Sequence, residues 1–203
     1  MDIPYLLPGS IAFWSVKGGQ GTTTVAATTA VLSSRKTKTV LVDYADDCCA
    51  VFGQPNFTAK DPVRVVNDGL SIACGLREML DGRVVFDLGN LSEIPDHAEL
   101  LNIARRAETS ILVLRPCFLA LRRANKFIGE HPDLKPDGIV LVEESNRALH
   151  VEDVEAAVGA RVVARIPLDT EVSRAVDAGV LASCRLPHSV RDMFDIVMSE
   201  VAR

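Results

Sequence analysis

The sequence predicts an α/β fold, built on a doubly wound, mostly parallel sheet of about seven strands with helices on both faces. Apolar runs of strand length alternate with helical stretches along the 203 residues, an order that produces parallel strands joined by helical crossovers. The apolar runs are continuous in Val, Ile and Leu, which is typical of strands buried on both faces. Because no repeat, linker or low-complexity stretch interrupts this alternation, we expect residues 1–203 to form a single domain.

Each element is predicted from its own pattern. The predicted strands span residues 11–16, 39–42, 70–73, 83–86, 110–114, 138–142 and 161–166. Helices are predicted over residues 23–35, 96–106, 119–130, 151–158, 170–178 and 189–202, most of them from apolar residues spaced three and four apart. The polar face of the last helix is acidic or neutral, which favours packing on the sheet over binding to an anionic membrane. The longest irregular stretch, residues 54–62, is expected to be a surface loop.

The composition is that of a globular protein with a core, and it argues against several classes of function. Hydrophobic residues make up 48% of the chain and the net charge is -5, so charge gives no indication of nucleic-acid binding, although a local basic patch stays possible. No apolar run reaches the roughly 18 residues of a membrane helix, and residues 1–10 lack the positive start of a secretory signal. The five cysteines fit no zinc spacing, and we expect free thiols in a cytoplasmic protein.

A glycine-rich turn between the first strand and the first helix carries the strongest functional signal. The turn reads Lys17-Gly18-Gly19-Gln20-Gly21-Thr22-Thr23-Thr24. Glycines in this position let consecutive backbone N–H groups point inward, and the start of the helix adds a positive field. Hydroxyl groups just inside the helix can bind a Mg²⁺ ion that bridges phosphates. The turn therefore predicts a phosphate-binding site.

This turn resembles the deviant Walker A motif of the ParA/MinD superfamily of P-loop ATPases, which reads K-G-G-x-G-K-T-T. The resemblance implies that ATP or ADP binds with Mg²⁺, that residues 18–24 hold the phosphates and that Thr23 is a metal ligand. It also implies a homodimer, in which Lys17 reaches the nucleotide of the partner. Thr22 stands where the family has its second lysine, which implies weak nucleotide affinity and slow phosphoryl transfer.

Two aspartates at predicted strand ends extend the resemblance. Asp43 corresponds to the first Asp of the family's D-x-D segment, which implies a role in catalysis and in holding Mg²⁺. The second Asp falls on Ala45, and either Asp46 or Asp47 could substitute for it or simply form a turn. Asp87 resembles the Asp of the Walker B strand, which also lies near Mg²⁺. Ligands of open α/β sheets bind at this end of the strands.

A later segment resembles the part of the family that packs near adenine. The pattern around Ile166 and Pro167 implies that both residues belong to the base pocket. The family's adenine-reading Asn has no direct counterpart, because Glu143 falls near its place and Asn146 follows a few residues later.

Two functions from different classes fit these observations. One is an ATP-dependent positioning or partitioning switch that dimerises on nucleotide, binds a protein partner or cargo and hydrolyses ATP slowly. The other is a non-enzymatic scaffold, similar to pilus-assembly proteins of the TadZ/CpaE type, which resemble MinD yet often carry altered Walker A loops. A metabolic P-loop ligase of the dethiobiotin-synthetase type is a third reading, which no substrate-specific motif supports.

Overall fold

The computed structural model describes residues 7–76, 81–93, 98–145 and 147–201. The strands are β1 Leu7–Ser15, β2 Thr39–Asp43, β3 Val63–Asn67, β4 Leu70–Cys74, β5 Arg83–Asn90, β6 Ala107–Leu114, β7 Gly138–Glu143 and β8 Val162–Pro167. The helices are α1 Thr22–Ser34, α2 Cys48–Val51, α3 Ala98–Arg106, α4 Phe118–Glu130, α5 Val151–Val158, α6 Thr170–Asp177 and α7 His188–Val201. A 3-10 turn, Leu181–Ser183, joins the last two helices.

The strands form one sheet in the order β3-β4-β2-β5-β1-β6-β7-β8. All neighbouring strands run parallel except β3 and β4. The predicted doubly wound, mostly parallel sheet is therefore confirmed. Strand β1 lies between β5 and β6, so the chain winds outward from the centre in both directions. The carboxyl ends of the central strands consequently meet at one edge, where open α/β sheets bind their ligands.

The sheet has eight strands where about seven were predicted, because β3 was assigned to no element. Its exposure alternates, with Val63 and Val65 exposed and Arg64 half-buried between them. An edge strand of this kind lacks the continuous apolar run of a buried parallel strand. The Asp68-Gly69 pair that follows is a common hairpin turn, and Asn67 Oδ1 accepts hydrogen bonds from the Gly69 and Leu70 amides at 2.9 and 3.0 Å.

Two apolar cores lie on opposite faces of the sheet. Helices α1, α6 and α7 cover one face, over side chains such as Phe13 and Leu41. Helices α3, α4 and α5 cover the other face, over Trp14 and Phe86. The last helix buries Val190, Met193, Phe194 and Val197 in the first core, which confirms that α7 packs on the sheet.

Within the described residues, no helix combines the length and the apolar character needed to cross a bilayer. The five cysteines all lie in the described part of the chain, and none of them forms a disulfide.

Candidate functional site

The glycine-rich turn connects the end of β1 to the start of α1 at the sheet edge described above. Gly19 and Gly21 have φ angles of 74° and 89°, a left-handed conformation that side chains other than glycine rarely adopt. Gly21 is the residue before α1, and no side chain caps the helix there. The first amides of α1 are thus available to an anion, and the positive end of the helix dipole lies at the same place.

A pocket of about 470 Å³ opens over this turn. It is called the phosphate pocket below, after the ligand that the turn predicts. Its lining combines the turn with three strand ends and comprises Ser15, Gly18, Gly19, Gln20, Gly21, Thr22, Thr23, Thr24, Tyr44, Ala45, Asp47, Gly89, Asn90 and Glu93. Two lining side chains, Asp47 and Glu93, are acidic, and among the described residues no lysine or arginine lines the pocket. Lys17 lies outside the lining, and its Nζ donates to the Gly18 carbonyl at 3.2 Å. The described part of the pocket wall therefore offers backbone amides and hydroxyls to a phosphate, and no cationic side chain.

The turn is joined to the neighbouring strands by two polar side chains. The Ser15 hydroxyl lies 3.1 Å from the Gly89 carbonyl and 3.2 Å from the Lys17 carbonyl. Gln20 is only 2% exposed, and its Oε1 accepts the Arg115 amide at 2.9 Å. The side chain of Gln20, which the sequence assigned to the phosphate site, is thus directed to the protein, and only its backbone amide is left for a ligand.

Asp43 ends β2 with a carboxylate engaged by its own loop. Oδ1 accepts the amides of Ala45 and Asp46, both at 2.9 Å, and Oδ2 accepts the amide of Cys48 at 2.8 Å. Burial raises the pKa of Asp43 above its ordinary value, although these three hydrogen bonds act in the opposite direction. Asp43 therefore shapes the loop between β2 and α2, and it lies buried beneath the pocket lining rather than in it.

Asp87 lies next to Asp43 on the adjacent strand, where the two residues are register partners. It is fully buried, and burial raises its pKa to about 7. The hydrogen bond from the Thr23 hydroxyl acts in the opposite direction and lowers the pKa of Asp87. Its Oδ1 also accepts the Gly89 amide at 3.1 Å. Thr23 and Asp87, predicted separately as metal ligands, are thus in direct contact.

The loop after Asp43 places its two acidic residues, Asp46 and Asp47, differently. Asp46 is exposed and has a φ angle of 63°, which is the geometry of a turn residue. Asp47 directly precedes α2 and lines the phosphate pocket. Ala45 stands where the resemblance places the second aspartate. Its Cβ packs close to Gly89, because a Cβ added to Gly89 would come within 3.2 Å of it. Asp47 is therefore the acidic residue that this loop brings to the pocket.

The residues around Asp87 fit a magnesium ion. Atoms of Asp43, Cys48 and Asp87 lie within 4.8 Å of one another, and the Thr23 hydroxyl contacts Asp87. Carboxylate and hydroxyl oxygens are the ligands that Mg²⁺ takes in proteins. The Cys48 thiol is a poor ligand for Mg²⁺, and burial beside Asp87 and Asp43 raises its pKa well above the ordinary value. The oxygen atoms of the cluster therefore suit the ion, and Cys48 closes its buried side.

A second, smaller pocket of about 110 Å³ adjoins the first, because Gly21 and Thr24 line both. Its wall comprises Gly21, Thr24, Val25, Thr28, Arg115, Val142, Ile166, Pro167, Leu168, Asp169, Val172, Ser173 and Val190. The structure thus brings Ile166 and Pro167, the two predicted base-pocket residues, beside the phosphate turn. Glu143 is not in this wall and instead accepts Arg165 Nε at 2.7 Å. Asn146 lies outside the described residues.

Sequence reasoning missed several residues of this site, of which Arg115 and Tyr44 are two examples. Arg115 lines the smaller pocket and its NH1 donates to Glu144 at 2.8 Å. Tyr44 lines the phosphate pocket and its hydroxyl lies 2.7 Å from Glu99 Oε1. Both residues directly follow the last residue of a parallel strand, a position that could have identified them.

Several solved structures are similar to this chain over most of its length. A chain of the MinC:MinD cell division protein complex of Aquifex aeolicus matches with a TM-score of 0.73 and 17% identity, covering 96% of each chain. MinD of Pyrococcus horikoshii with Mg-ADP matches with a TM-score of 0.73 and 18% identity, covering 94% of each chain. A Cyanothece McdA variant with ATP matches with a TM-score of 0.72 and 13% identity, covering 98% of this chain and 97% of that one.

The chain has the ParA/MinD-type P-loop ATPase fold. This confirms the fold that was predicted from the alternation of strands and helices and from the resemblance of the glycine-rich turn. At identities of 13% to 18% the likeness concerns the ParA/MinD fold itself. The sequence matches no protein-family model and no curated protein.

Proposed function

We propose that this protein is an ATP-binding positioning switch of the ParA/MinD kind, which dimerises on nucleotide and hydrolyses ATP slowly. One observation carries the proposal: the pocket of about 470 Å³ over Gly18–Thr24 adjoins a smaller, mostly apolar pocket at Ile166 and Pro167. A nucleotide has the same division into a charged and an apolar end. Similar solved structures contain Mg-ADP and ATP.

Each part of the site has a role in this proposal. The amides of residues 18–24 bind the phosphates and orient them at the start of α1. Thr23, Asp43 and Asp87 would hold Mg²⁺, whose charge offsets that of the phosphates. Asp43, at the end of β2, also orients the attacking water. Pro167 and Ile166 exclude water from the base.

A homodimer would supply a cation to the pocket wall, where the described residues include no lysine or arginine. Lys17 is half-buried beside the turn and does not line its own pocket. In a face-to-face dimer, its ammonium group would reach the phosphates bound by the partner and offset their charge. The dimer formed in this way would present a surface to a protein partner or cargo. The MinC:MinD complex is a similar structure with a protein partner.

Three features favour slow chemistry and keep the scaffold as the second candidate. Thr22 offers no charge at the position of the family's second lysine. Asp47 and Glu93 add negative charge to the phosphate pocket. The Asp43 carboxylate is already bound by three backbone amides. On the scaffold view, the protein dimerises and binds its partner without using ATP.

Calorimetry and sedimentation separate the two candidates. We would titrate the protein with ATP and Mg²⁺, follow phosphate release, and measure the sedimentation coefficient with and without nucleotide. The proposal expects weak but measurable binding, slow release of phosphate and a dimer only with ATP. Lys17→Ala should abolish the dimer and the phosphate release. Lys135→Ala, an exposed lysine outside both pockets, is the matched control and should change neither.

Absence of binding heat and of phosphate release would leave the scaffold as the function. An oligomeric state that ignores nucleotide would point the same way. If Lys17→Ala and Lys135→Ala reduced dimerisation equally, the proposed contact of Lys17 with the partner's nucleotide would be wrong.

A further inference from the structure

We propose that Gln20 is a positioning residue that fixes the distance between the phosphate turn and the base pocket, so that the site recognises a nucleotide as one ligand. This inference rests on the proposed binding of ATP. It concerns a side chain at the position that the Walker A pattern leaves variable.

Gln20 is a buried polar side chain, with 2% of its surface exposed. Its Oε1 accepts the Arg115 amide at 2.9 Å, and its Nε2 lies 3.5 Å from the Gly18 carbonyl. Burial of an amide costs free energy unless its hydrogen bonds are made inside the protein. The contact with Arg115 therefore holds the middle of the turn against the end of β6, 95 residues further along the chain.

Arg115 carries this connection to the second pocket. Arg115 lines the base pocket together with Pro167, which ends β8, two strands away from β6 in the sheet. Its NH1 donates to Glu144 at 2.8 Å, and the ion pair fixes the guanidinium in the wall. Glu144 is held in turn by Arg147, whose hydrogen bond is the main cause that lowers the pKa of Glu144.

Arg115 also borders the space that a ligand would fill. Its Nε is buried and has no hydrogen-bond partner among the described residues. Because Nε has almost no accessible surface, it is closed to a ligand. A base or ribose would instead contact other atoms of Arg115 in the pocket wall while the phosphates lie in the turn. Gln20 sets that geometry, because it contacts the turn with one end and the backbone of Arg115 with the other.

The test compares a complete nucleotide with its phosphates alone. Binding of Mg-ATP and of Mg-tripolyphosphate would be measured by calorimetry for the native protein, Gln20→Met and Gln20→Asn. Methionine keeps the length of the side chain without its acceptor, and asparagine keeps the amide but is one methylene too short to reach Arg115. Both variants should weaken ATP binding by about tenfold, which corresponds to the loss of one well-placed hydrogen bond. Tripolyphosphate binding should stay within about twofold, because the turn itself is intact.

A double-mutant cycle with Arg115→Met shows whether Gln20 acts through Arg115. Arg115→Met should weaken ATP but not tripolyphosphate, and adding Gln20→Met should then cost little more. Fluorescence of Trp14, the single tryptophan of the chain, would verify that each variant is folded. If Gln20→Met does not fold, Gln20→Asn and Arg115→Met provide the same comparison.

The outcomes distinguish this inference from the proposed function. If the native protein binds neither ligand, the proposed function fails and the inference fails with it. If the native protein binds ATP but the Gln20 variants weaken both ligands equally, Gln20 only shapes the turn, and the inference alone is overturned. The same conclusion follows if the variants change neither affinity, or if the effects of Gln20→Met and Arg115→Met are additive.

Discussion

The carboxylate of Asp43 accepts the backbone amide of Cys48 at 2.8 Å, across five residues of the loop between β2 and α2. Its other oxygen accepts the amides of Ala45 and Asp46. A residue assigned to Mg²⁺ and water is therefore also the centre of its own loop. This double role makes the stability of the apo protein sensitive to Asp43.

Asp43→Ala should lower the free energy of unfolding by about 2–3 kcal/mol, because it leaves part-buried and buried amides without an acceptor. Asp43→Asn is the matched variant, since its side-chain oxygen can still accept the Ala45 and Asp46 amides while its NH₂ faces the Cys48 amide. We expect a smaller loss for Asn than for Ala in urea unfolding without nucleotide. Equal stability of Asp43→Ala and the native protein would show that the loop does not depend on this carboxylate.

The pKa of Asp87 predicts a stability that decreases with rising pH. Burial raises this pKa from 3.8 to about 7, so between these values the native state keeps a proton that the unfolded chain has released. The contribution of Asp87 to the free energy of unfolding should therefore be greatest below about pH 4. Between pH 4 and pH 7 it should fall by up to about 1.4 kcal/mol per pH unit. Urea unfolding in EDTA at several pH values would measure the slope.

Asp87→Asn provides the control for that slope. Asparagine keeps the size of the side chain but cannot ionise, so the dependence on pH should become shallower and the variant should be more stable than the native protein at pH 8. The raised pKa of Asp43 acts in the same direction and leaves a residual slope. An unchanged slope in Asp87→Asn would mean that Asp87 does not titrate in this range.

Thr22→Lys should restore the charge that the phosphate turn lacks. Thr22 is the first residue of α1 and lines the phosphate pocket, so a lysine there can extend toward the phosphates. We expect ATP to bind at least about tenfold more tightly, as a charge-assisted hydrogen bond contributes roughly 1.5–3 kcal/mol. Thr22→Met, of similar length without the charge, should bind ATP no better than the native protein. Equal affinities of Thr22→Lys and Thr22→Met in calorimetry would contradict the assignment of the turn.

Gly53 and Gly179 allow the loop after α2 to pack against the end of α6. A Cβ on Gly179 would lie 2.8 Å from the Gly53 Cα, and a Cβ on Gly53 would lie 2.7 Å from the Gly179 carbonyl oxygen. Both residues also have positive φ angles. Gly179→Ala should therefore cost more than about 2 kcal/mol of stability, through backbone strain and the clash together.

Gly159→Ala separates these two causes. Gly159 has a φ angle of 73° at the end of α5, but a Cβ there would meet no atom within 4 Å. Its substitution should cost about 1 kcal/mol, the strain of the left-handed conformation alone. If thermal unfolding gave the same loss for Gly159→Ala and Gly179→Ala, the close contact with Gly53 would contribute nothing.

Much of the fold could be predicted because buried parallel strands and their helices leave strong local patterns. The run before Lys17 and the one before Asp43 are continuous and apolar, and the structure has strands at both places. Strand β3 was missed because it lies at the edge of the sheet, where exposed Val63 and Val65 alternate with half-buried neighbours. Such a strand has no continuous buried apolar run. The short helix α2 was missed for a related reason, since four residues carry no periodicity.

The sequence by itself determined the α/β architecture and the glycine-rich turn, because burial patterns and glycine conformations are properties of adjacent residues. Only the tertiary structure decided that Thr23 contacts Asp87, that Asp47 rather than Asp46 reaches the pocket, and that Gln20 binds the backbone of Arg115. These contacts join residues far apart in the chain or depend on the path of one loop. They depend on the spatial order of the strands in the sheet, and a local sequence pattern carries no information about that order.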